Sequence, residues 1–312
     1  MKLINKYTKI NKNLTALQKK VLFVNVNTKE FDYKTFYDLN QYIGGVAVGL
    51  KLYKDFEDIN KNKDSDPVIF SIGPLNGLFP FASKTSIVYL NEGNLEDVYL
   101  GGSLSNRIKF LGVDAIVIFG KSAEPVQLDI QEDKVIFKEE EDYVEELGLP
   151  SKKCTILISK NQLLLDNYFT TKENGLCRIL NKNNIKSIVI TGSKNIVIKD
   201  FEKYKNIYNS ILNKKNEMSV KSYTNPSCSG CPMGCRKSKE GEIGGNILIH
   251  SLVACEFSEN IYSDIGIVFS CLNVLGYNYT HEDIENLPKL VEEILKWNIL
   301  LLITKWTITS WW

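Results

Sequence analysis

Arginine is nearly missing from this chain of 312 residues: only Arg107, Arg178 and Arg236 carry a guanidinium among 38 basic side chains. With a net charge of +1, the chain has no strong field of either sign, which excludes bulk electrostatic attraction to nucleic acid or a membrane surface. The lysine, asparagine and isoleucine that replace arginine fit AT-rich coding, so lysine richness by itself says little about function. Histidine occurs twice, at His250 and His281, and forms no paired metal motif. No second Cys-x2-Cys accompanies the one at Cys228 and Cys231. Tryptophan is absent from the first 296 residues, and no acid precedes Glu30. Residues 1–20 hold six lysines but no apolar run of signal-peptide length, so a flexible basic leader is expected in preference to a secretory signal or a binding arm. Seven cysteines, an odd number, with this spacing point to a reducing cytoplasm and not to a disulfide framework.

Apolar residues make up 44% and charged residues 24% of the chain, enough for a substantial core and about two domains. Val21–Asn27 has the pattern of a strand followed by the turn Thr28-Lys29-Glu30, and residues 35–56 that of a helix interrupted at Gly44-Gly45. Val68–Ile72, Ser86–Leu90, Asp114–Phe119, Thr155–Ser159 and Ile185–Thr191 are apolar runs of strand length. The turn signals Glu92-Gly93 and Gly101-Gly102 fall between them, the latter opening a helix over 103–111 that stops at Gly112. Residues 125–138 alternate like paired edge strands, Glu139–Glu146 is an acidic solvated run, and Cys177 falls in a loop with Gly175. Helices are expected over 199–216, 247–276 and 281–296. Strands first and helices second predict an α+β fold: a basic leader (1–20), a β-rich domain (21–215), a partial helical domain (216–296) and an atypical tail (297–312). The tail holds all four tryptophans, and its apolar run is short and broken by Lys305, so no membrane span is expected. A frameshift or truncation is the preferred account of it.

The densest chemistry lies in Cys228-Ser-Gly-Cys231-Pro-Met-Gly-Cys235. Two glycines and a proline let such a loop turn sharply, so that three thiolates converge while backbone N–H groups point at the sulfurs. Soft thiolates at this density select zinc or an iron–sulfur cluster. Zinc commonly takes a second Cys or His pair nearby, whereas the fourth cysteine of a cluster can lie far off in sequence, so a cluster is preferred.

Several segments in order resemble the tungsten-containing aldehyde ferredoxin oxidoreductases. They are Val24–Lys29, Tyr42-Ile43-Gly44-Gly45, the Pro67–Gly77 stretch ending in Gly-Pro-Leu-Asn-Gly, Gly101-Gly102 with Lys109–Lys121, Ile185–Lys194, and the cysteine loop. The resemblance covers roughly residues 20–280. It implies a β-rich, pterin-binding-type base that cradles a tungsten bis-pterin, and a partial helical domain carrying the cysteine loop. Cys228, Cys231 and Cys235 would be three ligands of a [4Fe–4S] cluster. The implied reaction turns an aldehyde into a carboxylic acid and passes electrons to ferredoxin. The family often dimerises, which implies a homodimer.

The same resemblance assigns cofactor contacts to Lys84, where the family has an arginine bridging pterin and cluster, and to Gly101 and Gly102. It assigns them also to Asn273, Gly276 and Asn278, which stand in an Asp-x-x-Gly-Leu-Asp motif whose carboxylates are here amides. The turn Glu173-Asn174-Gly175-Leu176 has fewer glycines than its family counterpart. The family's glutamates are absent around Asn246–Ser251, and His250 is expected to be a structural hydrogen-bonder before a catalytic group. The family's fourth cluster cysteine lies in a C-terminal domain beyond this sequence; Cys255 or Cys271 could substitute only if the fold brings them near, and both are expected instead as small buried residues on helices. A non-catalytic relative used in electron relay, assembly or structure is the alternative, and no catalytic residue is assigned.

Overall fold

Runs such as Val68-Ile-Phe and Ala115-Ile-Val-Ile are apolar at every position because the strands they form are covered on both faces. The computed structural model describes residues 18–59, 66–138, 148, 152–171, 175–240 and 246–309, without the side chains of 240 and 298–309. The acidic run 139–146, Glu173-Asn174 and all but the end of the basic leader lie outside these residues.

The strands are β1 (Lys19–Asn25), β2 (Glu30–Phe36), β3 (Val68–Ser71), β4 (Thr85–Asn91), β5 (Asn94–Leu100) and β6 (Ala115–Phe119), followed by β7 (Val126–Ile130), β8 (Val135–Lys138), β9 (Lys153–Ile158), β10 (Leu163–Leu165), β11 (Phe169–Thr170) and β12 (Ile185–Thr191). The helices are α1 (Gly45–Ile59), α2 (Leu104–Leu111), α3 (Leu176–Lys182), α4 (Phe201–Asn213), α5 (Ile247–Leu252), α6 (Glu259–Tyr262), α7 (Ile265–Val274) and α8 (His281–Thr309). Two mixed six-stranded sheets result, in the orders β2-β1-β6-β3-β4-β5 and β11-β10-β9-β12-β7-β8. One parallel pair sits within each, β1 with β6 and β7 with β12. The fold is α+β.

Period-two alternation divides the first sheet between two cores. Val21, Ile69, Val88 and Val117 face a core built with α1, α5, α7 and α8. Leu22, Phe70, Ile87 and Ile116 face a second core shared with β7, β9 and β12 and with α2 and α3. The residues of α5, α7 and α8 therefore bury their apolar faces in the same core as β1 and β3.

Several expected elements shift. Residues 30–36 pair with β1 as a hairpin strand across the Thr28-Lys29 turn, so the helix begins at Gly45 and not at 35. Asn25 Oδ1 accepts the N–H groups of Asn27 and Thr28, which shapes that turn. Within 125–138 only β8 is an edge strand, since β7 is buried and lies between β8 and β12. Cys177 lies on α3 instead of in a loop. The helix expected over 247–276 breaks into α5, a 3-10 turn at Glu256–Ser258, α6 and α7. The break begins where Val253 takes a left-handed conformation (φ 53°). Gly112 stops α2 in the same conformation (φ 83°), as its sequence predicts. No helix among the described residues is long and apolar enough to cross a membrane. Backbone helix continues to Thr309, and Lys54 places its ammonium 5.7 Å from the ring centre of Trp297.

Candidate metal centre

Three separate parts of the chain supply the groups around the cysteine loop: the link from β3 to β4, the Gly101-Gly102 turn after β5, and the bend after α5. The first is a staple built by Asn76. Its buried side chain accepts the Gly73 N–H (2.6 Å) and donates to the carbonyls of Ala82 (3.0 Å) and Lys84 (2.9 Å). All the bonding capacity used is to backbone, so the loop from Gly73 to Lys84 is fixed as a unit. Lys84 then donates its own N–H to Val253 O (3.2 Å), and its ammonium donates to Cys228 Sγ (3.3 Å) in a fully buried setting.

The bend after α5 is held just as closely. Asn246 caps α5 by accepting the N–H groups of Leu248 and Ile249. At the other end, Cys255 donates its N–H to Phe81 O (2.9 Å). The chain from His250 to Leu252 lies directly on Gly45 and Gly73. A methyl group on Gly73 would stand 2.5 Å from Leu252 O, and one on Gly45 would overlap His250 O. These two glycines of the sequence motifs thus serve backbone-to-backbone packing.

The cysteine loop docks on the remaining part. Ser229 donates its N–H to Gly102 O (2.9 Å), and the Cys231 N–H closes a turn onto Cys228 O (3.0 Å). Gly230 (φ 67°) and Gly234 (φ 50°) supply the left-handed positions the turn requires. A side chain at Gly101 would meet Cys228 Sγ at 2.8 Å and the Lys84 ammonium at 3.4 Å, so this position keeps the thiol and the cation accessible to each other.

These parts enclose one small cavity of about 10 Å³, lined by Lys84, Met218, Cys228, Cys231, Cys235 and Cys255 among others. Burial pushes the Cys231 thiol up to about 12, opposed by the Met233 N–H and reinforced by the other three sulfurs. Burial likewise lifts Cys255 to about 11, opposed by the Lys84 ammonium and the Phe257 N–H. For Lys84, burial works against the charge, but the sulfurs of Cys228, Cys255 and Cys235 outweigh it and raise its pKa. The ammonium is a buried cation set among sulfur atoms, which balance its charge only as thiolates.

Among the described residues, no three His, Cys, Asp or Glu side chains meet as a site for a single metal ion. A four-iron cluster asks for something else: each thiolate binds a different iron, so the ligands stand around a cage. Four cysteines and a buried ammonium on one cavity are the donor chemistry such a cage would use, but the cavity holds about one water, so a cluster would fit only with the loop spread.

Of the residues singled out from sequence, Lys84, Gly101, Cys228, Cys231 and Cys235 come together here, and Gly102 anchors the loop while its own Cα faces Leu165 and Phe169. Asn273, Gly276 and Asn278 do not line this cavity. Asn273 is exposed in the last turn of α7 and Gly276 and Asn278 just after it, and Tyr277 lines a cavity of about 190 Å³ with Lys19, Lys109 and Asp114. His250 accepts or donates a hydrogen bond at Nδ1 with the Tyr99 hydroxyl and packs edge-on against that ring, a structural setting. Cys271 is buried in the core on α7, as expected, but Cys255 is not on a helix: it sits on the bend and faces the cavity. Asn76 escaped notice in the sequence because one asparagine in a Gly-Pro-Leu-Asn-Gly loop reads as ordinary turn chemistry.

The family profile described as aldehyde ferredoxin oxidoreductase, N-terminal domain, matches residues 21–161. Residues 21–161 are thus similar to that family's N-terminal domain. Two curated relatives bear the name tungsten-containing aldehyde ferredoxin oxidoreductase. The chain is 24% identical to the Pyrococcus furiosus protein over 220 residues and 24% identical to the Thermococcus kodakarensis protein over 223 residues. Each alignment covers 62% of this chain and 36% of the relative, so the chain spans about a third of those proteins. Among solved structures, the BamBC active-site complex of benzoyl coenzyme A reductase shares the fold. Its TM-score is 0.55 at 18% identity, over 65% of this chain and 35% of that one. The matched residues run from β1 to β9, and the cysteine loop lies beyond them.

Proposed function

We propose that this chain forms the cofactor-binding base of an aldehyde:ferredoxin oxidoreductase, holding a [4Fe–4S] cluster at Cys228, Cys231 and Cys235 beside a tungsten bis-pterin. The observation that carries this reading is the buried meeting of the loop cysteines with Lys84 and Gly101 on a domain of that family. When bound, the pterin supplies the tungsten that oxidises an aldehyde to a carboxylic acid. The residues of this chain bind, orient and balance charge. The Cys228, Cys231 and Cys235 thiolates would hold iron, and the buried Lys84 ammonium would offset part of the cluster's charge. Gly101 and Gly102 would give close backbone approach, and Asn273, Gly276 and Asn278 would offer amide and backbone hydrogen bonds in place of the family's carboxylates. The acceptor in this reading is ferredoxin in the cytoplasm, with the chain working as a homodimer.

A second reading has its own support. The exposed amides at Asn273 and Asn278 lack the charge that would grip a pterin, which favours a cluster-bearing relative that relays electrons without turning over aldehyde. Iron, acid-labile sulfide, tungsten and zinc content of protein purified without oxygen separates the two. About four irons and four sulfides per chain with tungsten support the first, and iron without tungsten supports the second. Zinc alone, or no metal, overturns both.

A further inference from the structure

We propose that Cys255 is the fourth thiolate of this centre, so that the chain completes the cluster's ligand set from its own residues; this rests on the cluster reading above. Two geometric features place Cys255 in that role. It lines the same cavity as Cys228, Cys231, Cys235 and Lys84. Its backbone is fixed against that cavity by the Cys255 N–H to Phe81 O bond (2.9 Å), while Lys84, whose ammonium reaches Cys228 Sγ, holds Val253 O (3.2 Å) two residues earlier.

The bend that presents Cys255 is built at a cost. Val253 is β-branched and left-handed (φ 53°), a conformation such residues seldom adopt, and its carbonyl is held by Lys84 N–H. An uninterrupted helix through 253–255 would break the Lys84 to Val253 and Cys255 to Phe81 bonds that set the thiol against the cavity. The other cysteines have no such placement: Cys271 lies in the core on α7, and Cys154 and Cys177 lie in the core between the sheets.

The full chain, reconstituted without oxygen with iron and sulfide, tests the assignment against two variants, Cys255→Ser and Cys271→Ser. Unmutated protein and Cys271→Ser are expected to hold about four irons and to keep them under brief ferricyanide oxidation. Cys255→Ser is expected to lose one iron and to show the paramagnetic signal of an oxidised three-iron cluster, with its thermal unfolding curve as the check that the chain still folds. Equal iron in Cys255→Ser and unmutated protein, with no three-iron signal, overturns the assignment and leaves the three-cysteine cluster standing. Should the variant fail to fold, ferricyanide treatment of unmutated protein decides: rapid loss of one iron marks an open coordination position and overturns it, while resistance supports it. Unmutated protein that takes up no iron overturns the cluster reading and this assignment together.

Discussion

The cysteine centre and the turn at the end of α7 both resemble motifs of one family, yet they are built in opposite ways. At the centre, hydrogen bonds join parts of the chain more than a hundred residues apart: Lys84 to Val253 and Cys228, Ser229 to Gly102, Cys255 to Phe81. At the turn, Asn273 and Asn278 are exposed, and Gly276 (φ 86°) has open space where a side chain would be. Backbone hydrogen bonds fix the cysteine loop, whereas the amides of Asn273 and Asn278 stand exposed. A preorganised ligand shell is the costly part of a metal site, so its retention speaks for binding at the first place more than at the second.

The contrast is broken most severely by adding a methyl group between the sheet and the bend. Gly45→Ala combines an unfavourable φ of 49° with overlap onto His250 O, and neither backbone can retreat. A loss of about 3 kcal/mol, the upper range for overpacking, is expected in urea unfolding, together with reduced iron uptake. Asn76→Ala comes next. It strips partners from Gly73 N–H and from the carbonyls of Ala82 and Lys84, and about 2 kcal/mol is expected for buried groups left unsatisfied, again by urea unfolding.

Lys84→Met sharpens the comparison electrostatically. The substitution nearly conserves volume but removes the cation beside Cys228, so under the cluster reading the more negative reduced state would lose support and the potential would fall. About 1–2 kcal/mol of reduction free energy is expected, a fraction of the about 4 kcal/mol that two unit charges 4 Å apart exchange at an effective dielectric of about 20. A redox titration followed by electron paramagnetic resonance measures it. Smallest of all is Asn273→Ala at the exposed turn, expected within about 0.5 kcal/mol of unmutated protein in the same unfolding assay. A larger loss there would show the turn to be built as firmly as the centre.

Much of this was legible beforehand where one face or one period decided the outcome. β3, β6 and β12 declared themselves as apolar runs, and Gly112 as the stop of α2, because local chemistry settles them. β2 did not, since Glu30–Phe36 is mostly polar and exposed and becomes a strand only through its pairing with β1. β5 is likewise polar and edge-placed, and it escaped for the same reason. At the site, three cysteines in eight residues announced themselves. Cys255 did not, because its neighbours Leu252, Val253 and Ala254 read as buried helix. The break that turns its thiol outward comes from Lys84 and Phe81, far away in sequence. Tertiary hydrogen bonds overrode a local preference, and no pattern within the segment records that.

The fit of residues 250–253 over Gly45 and Gly73 has a consequence for how the chain survives in a cell. Under the assignment of Cys255, the segment that supplies a ligand is also the plug that closes the first sheet's core, so iron acts as a folding ligand for both at once. Protein made during iron scarcity would leave this seam ajar, with the stretch from Tyr223 to Ser258 open to proteases, while cofactor-loaded chains would persist. Abundance of the protein would then follow iron supply without any change in its synthesis.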